Sequence, residues 1–220
     1  SRNAFIFKDN TFIFKISKKK LDKSFQAGFT ISHNQEFKYE LPIIFSGNKV
    51  YNLPQVKSFI TFYSVKENVD IWVEDNFFEN LVNQDQLTEE IIMVASTNNY
   101  LHLNNNMFTN SLMDSAIYCR DLYSIDASNN RILNVSSKPS TVNSFLTFDN
   151  IQHVFIEGIE VSNSAFKQST NIGVLTLLNI KNLTVKGAEL FNLTSDSGNI
   201  FSLGAIETGH ISDVTVTDVY

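Results

Sequence analysis

LTVKGAELFN, residues 183–192, has five earlier counterparts, and together these segments decide the fold. The counterparts are IIFSGNKVYN (43–52), IWVEDNFFEN (71–80), LHLNNNMFTN (101–110), IDASNNRILN (125–134) and VFIEGIEVSN (154–163). Each ends in a residue that we name a closing asparagine: Asn52, Asn80, Asn110, Asn134, Asn163 and Asn192. Successive closing asparagines are 28, 30, 24, 29 and 29 residues apart, so the chain carries a repeat of roughly 29 residues.

Apolar residues recur at fixed places in every copy. The positions nine, seven and two residues before the closing asparagine are apolar throughout, as Leu183, Val185 and Leu190 show in the last copy. Two-residue steps place side chains alternately on the two faces of a strand, with one face inward. Each copy therefore predicts a strand, a bend and a second strand, and we expect a seventh copy to begin at Val214, Val216 and Val219.

A third apolar piece lies between the copies. These pieces read FITF (59–62), IMVA (92–95), AIYC (116–119), FLTF (145–148) and VLTL (174–177). Thr, Phe and Ile favour strands. Three short strands per turn, each stacked on its copy in the next turn, predict an all-β solenoid whose interior is built from the apolar positions.

The closing asparagines have a physical use in such a stack. Asparagine tolerates the positive φ of a bend, and its amide can donate to the turn on one side and accept from the turn on the other. We therefore predict that the closing asparagines form a ladder whose amides are turned into the stack.

The repeats resemble the right-handed parallel β-helix of the pectin-lyase-like superfamily, and GVLTLLNIKNLTVKGAELFNLT (173–194) carries the likeness. The resemblance covers residues 37–220 and implies about six to seven turns that continue beyond both ends of this sequence. Residues 1–36 are expected to form irregular or degenerate N-terminal turns. Few prolines with many Asn, Phe, Ile and Lys also resemble large surface proteins of protists with AT-rich genomes.

A leucine-rich-repeat solenoid is the alternative fold. LYSIDASNNRI (122–132) fits the pattern L-x-x-L-x-L-x-x-N-x-L of that class well. Leucine-rich repeats return through a helix or helical turn, whereas FITF, FLTF and VLTL alternate as strands do. The β-helix is therefore the preferred prediction.

Composition excludes several classes of function. The net charge is −6, and the basic residues are scattered apart from Lys18-Lys19-Lys20, so we expect no nucleic-acid partner. The single cysteine, Cys119, excludes an internal disulfide and a cysteine-based zinc site, and its place in AIYC predicts a buried thiol. No apolar run reaches the roughly 18 residues that span a bilayer, so we predict no membrane-spanning segment. We expect no cofactor and no metal.

The outward positions of the strands are where a site would lie. Polysaccharide-cleaving β-helices would need carboxylates with a base on one outer face, and no pair of neighbouring copies provides them, so we assign no catalytic residue. His102 and Asp126 fall at the same outward position of successive copies and could come within hydrogen-bonding reach. We predict a binding strip for a glycan or another protein at Trp72, Tyr100, His102, Asp126 and Phe155.

We therefore expect a non-catalytic structural, recognition or adhesion module of a larger extracellular or cell-surface protein, with further turns of the same chain as neighbours. A carbohydrate-active enzyme (lyase or hydrolase) and an architectural segment of a large assembly are the alternatives. Three glycosylation acceptors are present, at Asn134, Asn182 and Asn192. We predict a glycan at Asn182, because the other two are closing asparagines that we expect to face inward.

Overall fold

The computed structural model describes residues 4–14, 29–33, 41–53, 58–64, 67–81, 90–113, 115–137, 144–166, 174–195 and 201–220. All of the regular structure among them is β-strand. The strands are β1 (Phe5–Lys8), β2 (Thr11–Ile13), β3 (Phe29–His33), β4 (Ile43–Ser46), β5 (Lys49–Tyr51), β6 (Ser58–Ser64), β7 (Asp70–Glu74), β8 (Phe77–Glu79), β9 (Glu90–Ser96), β10 (Tyr100–Asn104), β11 (Met107–Leu112), β12 (Ile117–Arg120), β13 (Ser124–Ser128), β14 (Arg131–Ser136), β15 (Leu146–Glu157), β16 (Glu160–Phe166), β17 (Leu175–Lys186), β18 (Glu189–Ser195), β19 (Phe201–Leu203), β20 (Ile206–Ser212) and β21 (Thr215–Val219).

The strands form three parallel stacks, and one strand from each stack makes a turn of the solenoid, which we call a rung. The first stack contains β1, β4, β7, β10, β13, the C-terminal part of β15, the C-terminal part of β17, and β20. The second stack contains β2, β5, β8, β11, β14, β16, β18 and β21. The third stack contains β3, β6, β9, β12, the N-terminal parts of β15 and β17, and β19. The predicted parallel β-solenoid with three strands per rung is confirmed.

The interior is the set of apolar positions read from the sequence. In the first stack Ile71 pairs with Ile43 and Leu101, and all three are at most 1% exposed. In the second stack the rings of Phe78 and Phe108 lie parallel with centroids 4.7 Å apart. In-register stacking thus buries like side chains on one another, and this burial is the main source of stability.

Cys119 is in this interior. It lies on β12 between Val94 and Phe148 of the neighbouring third-stack strands and is fully buried. Burial raises the pKa of the Cys119 thiol far above its usual range, because the thiolate would be desolvated. The predicted burial of this thiol is therefore confirmed.

Three corners bend each rung, and the residues at these corners have positive φ. The first corner, between the first and second stacks, contains Asp9, Gly47, Asp75, Asn105, Asn129, Gly158, Gly187 and Asp213. The second corner contains the six closing asparagines and Asp218, and the third contains Asn68, Asn98, Asp121, Asn150 and Asn179. Only Gly, Asn and Asp occupy these places, because other L-residues pay a steric cost in the left-handed region.

The strand return of every described rung excludes the leucine-rich-repeat alternative. The return segments β6, β9, β12, β15 and β17 pair in parallel with one another and contain no helix. The predicted third strand of each rung is thereby confirmed.

The expected seventh copy is wrong in its position. Thr215 pairs with Glu189 and Val216 with Leu190, so β21 belongs to the second stack. The first-stack strand of that rung is β20, where Gly209 pairs with Leu183 and His210 with Thr184. Glycine at an inward place interrupts the apolar pattern, which is why the sequence did not reveal this strand.

The N-terminal segment contributes strands to the solenoid. β1 pairs with β4, β2 with β5 and β3 with β6, so the described part of residues 1–36 includes a complete rung. At the other edge the inward Val216 and Val219 are 41% and 37% exposed. The expectation that further rungs of the same protein cover such edges stays a prediction. No described residue belongs to a helix with the length and apolar character required to cross a membrane.

Candidate functional site

The outer face of the first stack carries most of the polar and aromatic residues that the sequence singled out. The strands place them in two lines along the solenoid axis. One line reads Ile44, Trp72, His102, Asp126, Phe155, Thr184 and His210. The other reads Asp70, Tyr100, Ser124, His153, Asn182 and Thr208. We call this surface the aromatic face; it contains all five residues of the predicted binding strip.

Trp72 and His102 form one unit of the aromatic face. Their rings are stacked, with centroids 3.7 Å apart and planes inclined by 12°. His102 Nε2 also lies 3.7 Å from Asp70 Oδ1, so Trp72 and Asp70 hold the imidazole from the same neighbouring strand. One ring face of Trp72 is therefore covered by protein and is closed to a ligand.

Tyr100, Tyr123 and His153 form a second aromatic unit on successive rungs. The ring centroids of Tyr100 and Tyr123 are 5.2 Å apart, and those of Tyr123 and His153 are 5.1 Å apart. His153 Nδ1 lies 3.2 Å from Asn182 Nδ2 of the next rung. The sequence prediction did not include Tyr123 and His153; Tyr123 lies one residue before the outward position, and His153 occupies that position in its own copy.

Asp126 lines a groove across this face. The groove is lined by Leu101, His102, Ser124, Ile125, Asp126, His153, Val154, Phe155, Asn182 and Thr184. Asp126 pairs in register with His102, as predicted, but its Oδ1 accepts a hydrogen bond from Ser128 Oγ at 2.8 Å. His102 contacts Asp70 instead, and the described residues form no hydrogen bond between His102 and Asp126.

The groove has aromatic side chains on two sides. His102 lies one rung before Asp126, and Phe155, which is 37% exposed, lies one rung after it. Ser124 is the second short side chain of the middle rung. A rung with two short side chains between rungs with longer ones creates the depression.

The closing asparagines form hydrogen-bonded pairs, but their amides face outward. Asn80, Asn134 and Asn192 donate from Nδ2 to Oδ1 of the closing asparagine in the preceding rung, at 2.5, 2.7 and 2.6 Å. Asn110 donates to Glu79 Oε1 at 3.1 Å. These side chains are exposed, apart from the half-buried Asn52. The predicted ladder is confirmed and its predicted burial is wrong, because a residue with positive φ at a bend projects to the outside of the bend.

A second, buried ladder follows the first corner. Asn48, Asn76, Asn106 and Asn130 are at most 1% exposed. Asn106 shows the full pattern: its Nδ2 donates to Asn130 Oδ1 at 3.0 Å and to the Val73 carbonyl at 2.8 Å. Its Oδ1 accepts from Asn76 Nδ2 at 2.9 Å and from the Asn76 main-chain N–H at 3.2 Å. The sequence showed these asparagines at the fourth place before the closing asparagine, but periodicity alone did not identify them as the buried ladder.

Asn182 is the predicted glycan site only if the closing asparagines Asn134 and Asn192 face inward. Asn134 and Asn192 are exposed, whereas Asn182 is half-buried beside His153. The geometric reason for preferring Asn182 is therefore removed, and its glycosylation stays a prediction without precedence over the other two acceptors.

A metal site is not formed by the described residues, since no three His, Cys, Asp or Glu side chains among them are placed to hold an ion. Lys18-Lys19-Lys20 lies outside the described residues.

No protein-family model, curated protein or solved structure matches this chain. The parallel β-solenoid is therefore the level at which the fold is assigned.

Proposed function

We propose that this chain is a non-catalytic recognition module that binds a protein or a glycan on its aromatic face. The observation that carries the proposal is the grouping of Trp72, Tyr100, Tyr123, His153 and Phe155 on one outer surface. The inward positions of the solenoid could bury such rings, so core packing does not explain why these rings lie on the outer surface. Aromatic residues that remain on a solvated sheet are typical of interfaces, where they contribute contact area and a polar edge.

The flat, repetitive shape of the first stack also supports binding rather than chemistry. Parallel strands present side chains in straight lines with a spacing of about 4.8 Å, which suits an extended ligand or a broad protein surface. The groove at Asp126 is bordered by strands of this one sheet face, whereas catalytic sites are usually enclosed clefts.

The proposal includes placement in a larger extracellular or cell-surface protein, as in the large protist surface proteins that the composition resembles. Three glycosylation acceptors are in keeping with that placement. Mass spectrometry of glycopeptides from the natural protein checks it, because a sugar on any of the three acceptors requires passage through a secretory pathway.

A screen for ligands tests the recognition function. The labelled chain is applied to a glycan array and to a phage-displayed peptide library, beside a Trp72→Ser/Phe155→Ser variant. A matched Tyr51→Ser/Phe77→Ser variant changes a half-buried aromatic pair on the outer face of the second stack, where the centroids are 5.9 Å apart. We expect ligands that the first variant loses and the second retains, with circular dichroism to show that both fold. Ligands that bind all three proteins equally would remove the aromatic face from the proposal.

A carbohydrate-active enzyme remains the second candidate, because His102 lies 3.7 Å from Asp70 on the same outer face. A carboxylate beside an imidazole is an arrangement that general bases use. Incubation with polygalacturonate and other uronic-acid polymers, with and without calcium, is expected to release no reducing or unsaturated ends. Turnover that disappears in His102→Ala would replace the recognition module with the enzyme.

A further inference from the structure

We propose that the groove at Asp126 binds the guanidinium of an arginine side chain from a protein partner. This inference rests on the proposed recognition function and names the chemistry of its partner. Three properties of the groove determine its ligand: its width, a carboxylate that forms no ion pair with another described residue, and aromatic side chains on either side.

The width follows from the register of the strands. His102, Asp126 and Phe155 are successive members of one outward line, so the strands that carry the two rings lie two strand spacings apart, about 9.6 Å. Asp126 and Ser124 are the short side chains between them. A planar group that enters from solvent between these two strands lies beside His102 and Phe155 and near the carboxylate of the middle strand.

The ring of His102 is held with one face toward the groove. Its other face is stacked on Trp72 at a centroid distance of 3.7 Å, and Trp72 and Asp126 lie on opposite sides of His102 in the sheet. Contact with Asp70 adds a second constraint on the imidazole. Because this wall is preorganised by the protein, little side-chain freedom is lost when a ligand stacks on it.

The charge of the groove is negative. None of the ion pairs within the described parts of the chain involves Asp126, whose Oδ1 accepts from a neutral hydroxyl. Lys186, the nearby base on the same outer face, is paired with Glu157 at 3.2 Å. The whole chain has a net charge of −6, so its field also attracts a cation.

Arginine fits these properties better than lysine or a sugar. Guanidinium is planar, donates two parallel hydrogen bonds to one carboxylate and stacks on ring faces, whereas ammonium is a strongly hydrated point charge. A sugar that stacks on an indole needs an open ring face, and His102 covers one face of Trp72. The groove therefore favours a planar cation such as guanidinium.

Trp72 provides the readout, because it is the single tryptophan of the chain and stacks on the wall of the groove. Acetyl-Gly-Arg-Gly-amide is titrated into the whole chain at low ionic strength while tryptophan emission is recorded, since salt screens exposed charge pairs. The lysine and citrulline peptides and a neutral glucan oligosaccharide are titrated in parallel. We expect saturable binding of the arginine peptide, weaker binding of the lysine peptide, and no saturation with the other two.

Asp126→Asn is the decisive variant, because it keeps the shape of the side chain and its acceptor for Ser128 while it removes the charge. We expect it to weaken arginine-peptide binding by about tenfold or more, while Glu189→Gln, an exposed acid on β18, leaves binding unchanged. Phe155→Leu should reduce the preference for arginine over lysine. Undiminished binding in Asp126→Asn, equal binding of citrulline, or no saturation by the arginine peptide would each overturn the proposal. Ligands from the array or library that need Trp72 and Phe155 but not Asp126 would leave the recognition function standing without the arginine site.

Discussion

The corner between the first and second stacks is built in two different ways along the same solenoid. In its N-terminal part the residue after the corner is a buried asparagine in four successive rungs, Asn48 to Asn130. In its C-terminal part the same inward place holds Ile159 and Ala188, also buried, and the corner residues before them are Gly158 and Gly187. One half is thus held by a polar ladder and the other by apolar contact.

The main chain is the same in both halves. Arg131 donates its N–H to the Asn106 carbonyl at 2.8 Å, and Glu189 donates to the Ile159 carbonyl at 2.7 Å. The corner therefore needs a residue that tolerates positive φ, and it does not need the amide ladder. The buried asparagines of the ladder depend on one another, because each buried amide must find its hydrogen-bond partners on the neighbouring rungs.

The largest expected effect is the loss of one member of the ladder. Asn106→Leu removes one donor to the Val73 carbonyl and leaves two N–H groups of Asn76 without their acceptor in a buried interior. We expect a loss of about 3–5 kcal/mol in the free energy of unfolding, measured by urea denaturation. A loss below about 1 kcal/mol would show that water or neighbouring groups replace the amide, and the ladder would no longer distinguish the two halves.

An attempt to extend the ladder should cost less. In Ile159→Asn the new amide can accept from Asn130, as Asn130 accepts from Asn106, and we expect a change within about 1 kcal/mol. The matched Ile156→Asn change places the same amide at an apolar inward position and should cost about 3 kcal/mol or more. Equal losses of unfolding free energy in the two variants would show that an asparagine at position 159 does not join the ladder.

Substitution of the two corner glycines distinguishes the effect of backbone strain from that of steric crowding. Gly158 and Gly187 have φ of 64° and 65°, but an added Cβ at Gly158 would lie 2.6 Å from Asn129 Oδ1, whereas at Gly187 the nearest atom is 3.6 Å away. We expect Gly158→Ala to lower the unfolding free energy by about 2 kcal/mol and Gly187→Ala by about 1 kcal/mol. Thermal unfolding of both variants checks the order, and Gly187→Asn should restore most of the loss, since asparagine tolerates positive φ.

The smallest effect is expected at the exposed ladder. Asn192→Gly keeps a residue suited to positive φ and removes only the solvated hydrogen bond to Asn163. The free energy of unfolding should change by less than about 0.5 kcal/mol. A cost comparable with that of Asn106→Leu would show that exposure does not separate the two kinds of ladder.

Much of the fold could be predicted from repetition. The positions of Leu183, Val185 and Leu190 relative to Asn192 are enough to infer strand pairs and a buried face, and the structure buries all three apolar side chains. Repetition failed where a residue departs from the pattern, as at Gly209 in β20. It also could not identify the buried ladder. Asparagine is compatible both with an exposed bend and with a buried site where its amide is fully hydrogen-bonded, and the sequence alone does not distinguish the two.

The candidate site was predictable only as a surface. Counting residues placed Trp72, His102 and Asp126 on one outward line, and the register confirms that placement. The partners of each group depend on rotamers and on neighbouring lines of the sheet. Asp70 beside His102 and Ser128 beside Asp126 are results of that packing.

The sequence by itself determined the period, the strands, the inward apolar positions and the three-sided parallel stack, because burial of apolar side chains at alternate positions allows few other arrangements. Tertiary structure decided which asparagines are buried, which ring faces are covered and which carboxylate has no ion pair with another described residue. These properties arise between rungs that are roughly 29 residues apart, where hydrogen-bond partners and ring contacts are set by three-dimensional packing and not by order along the chain.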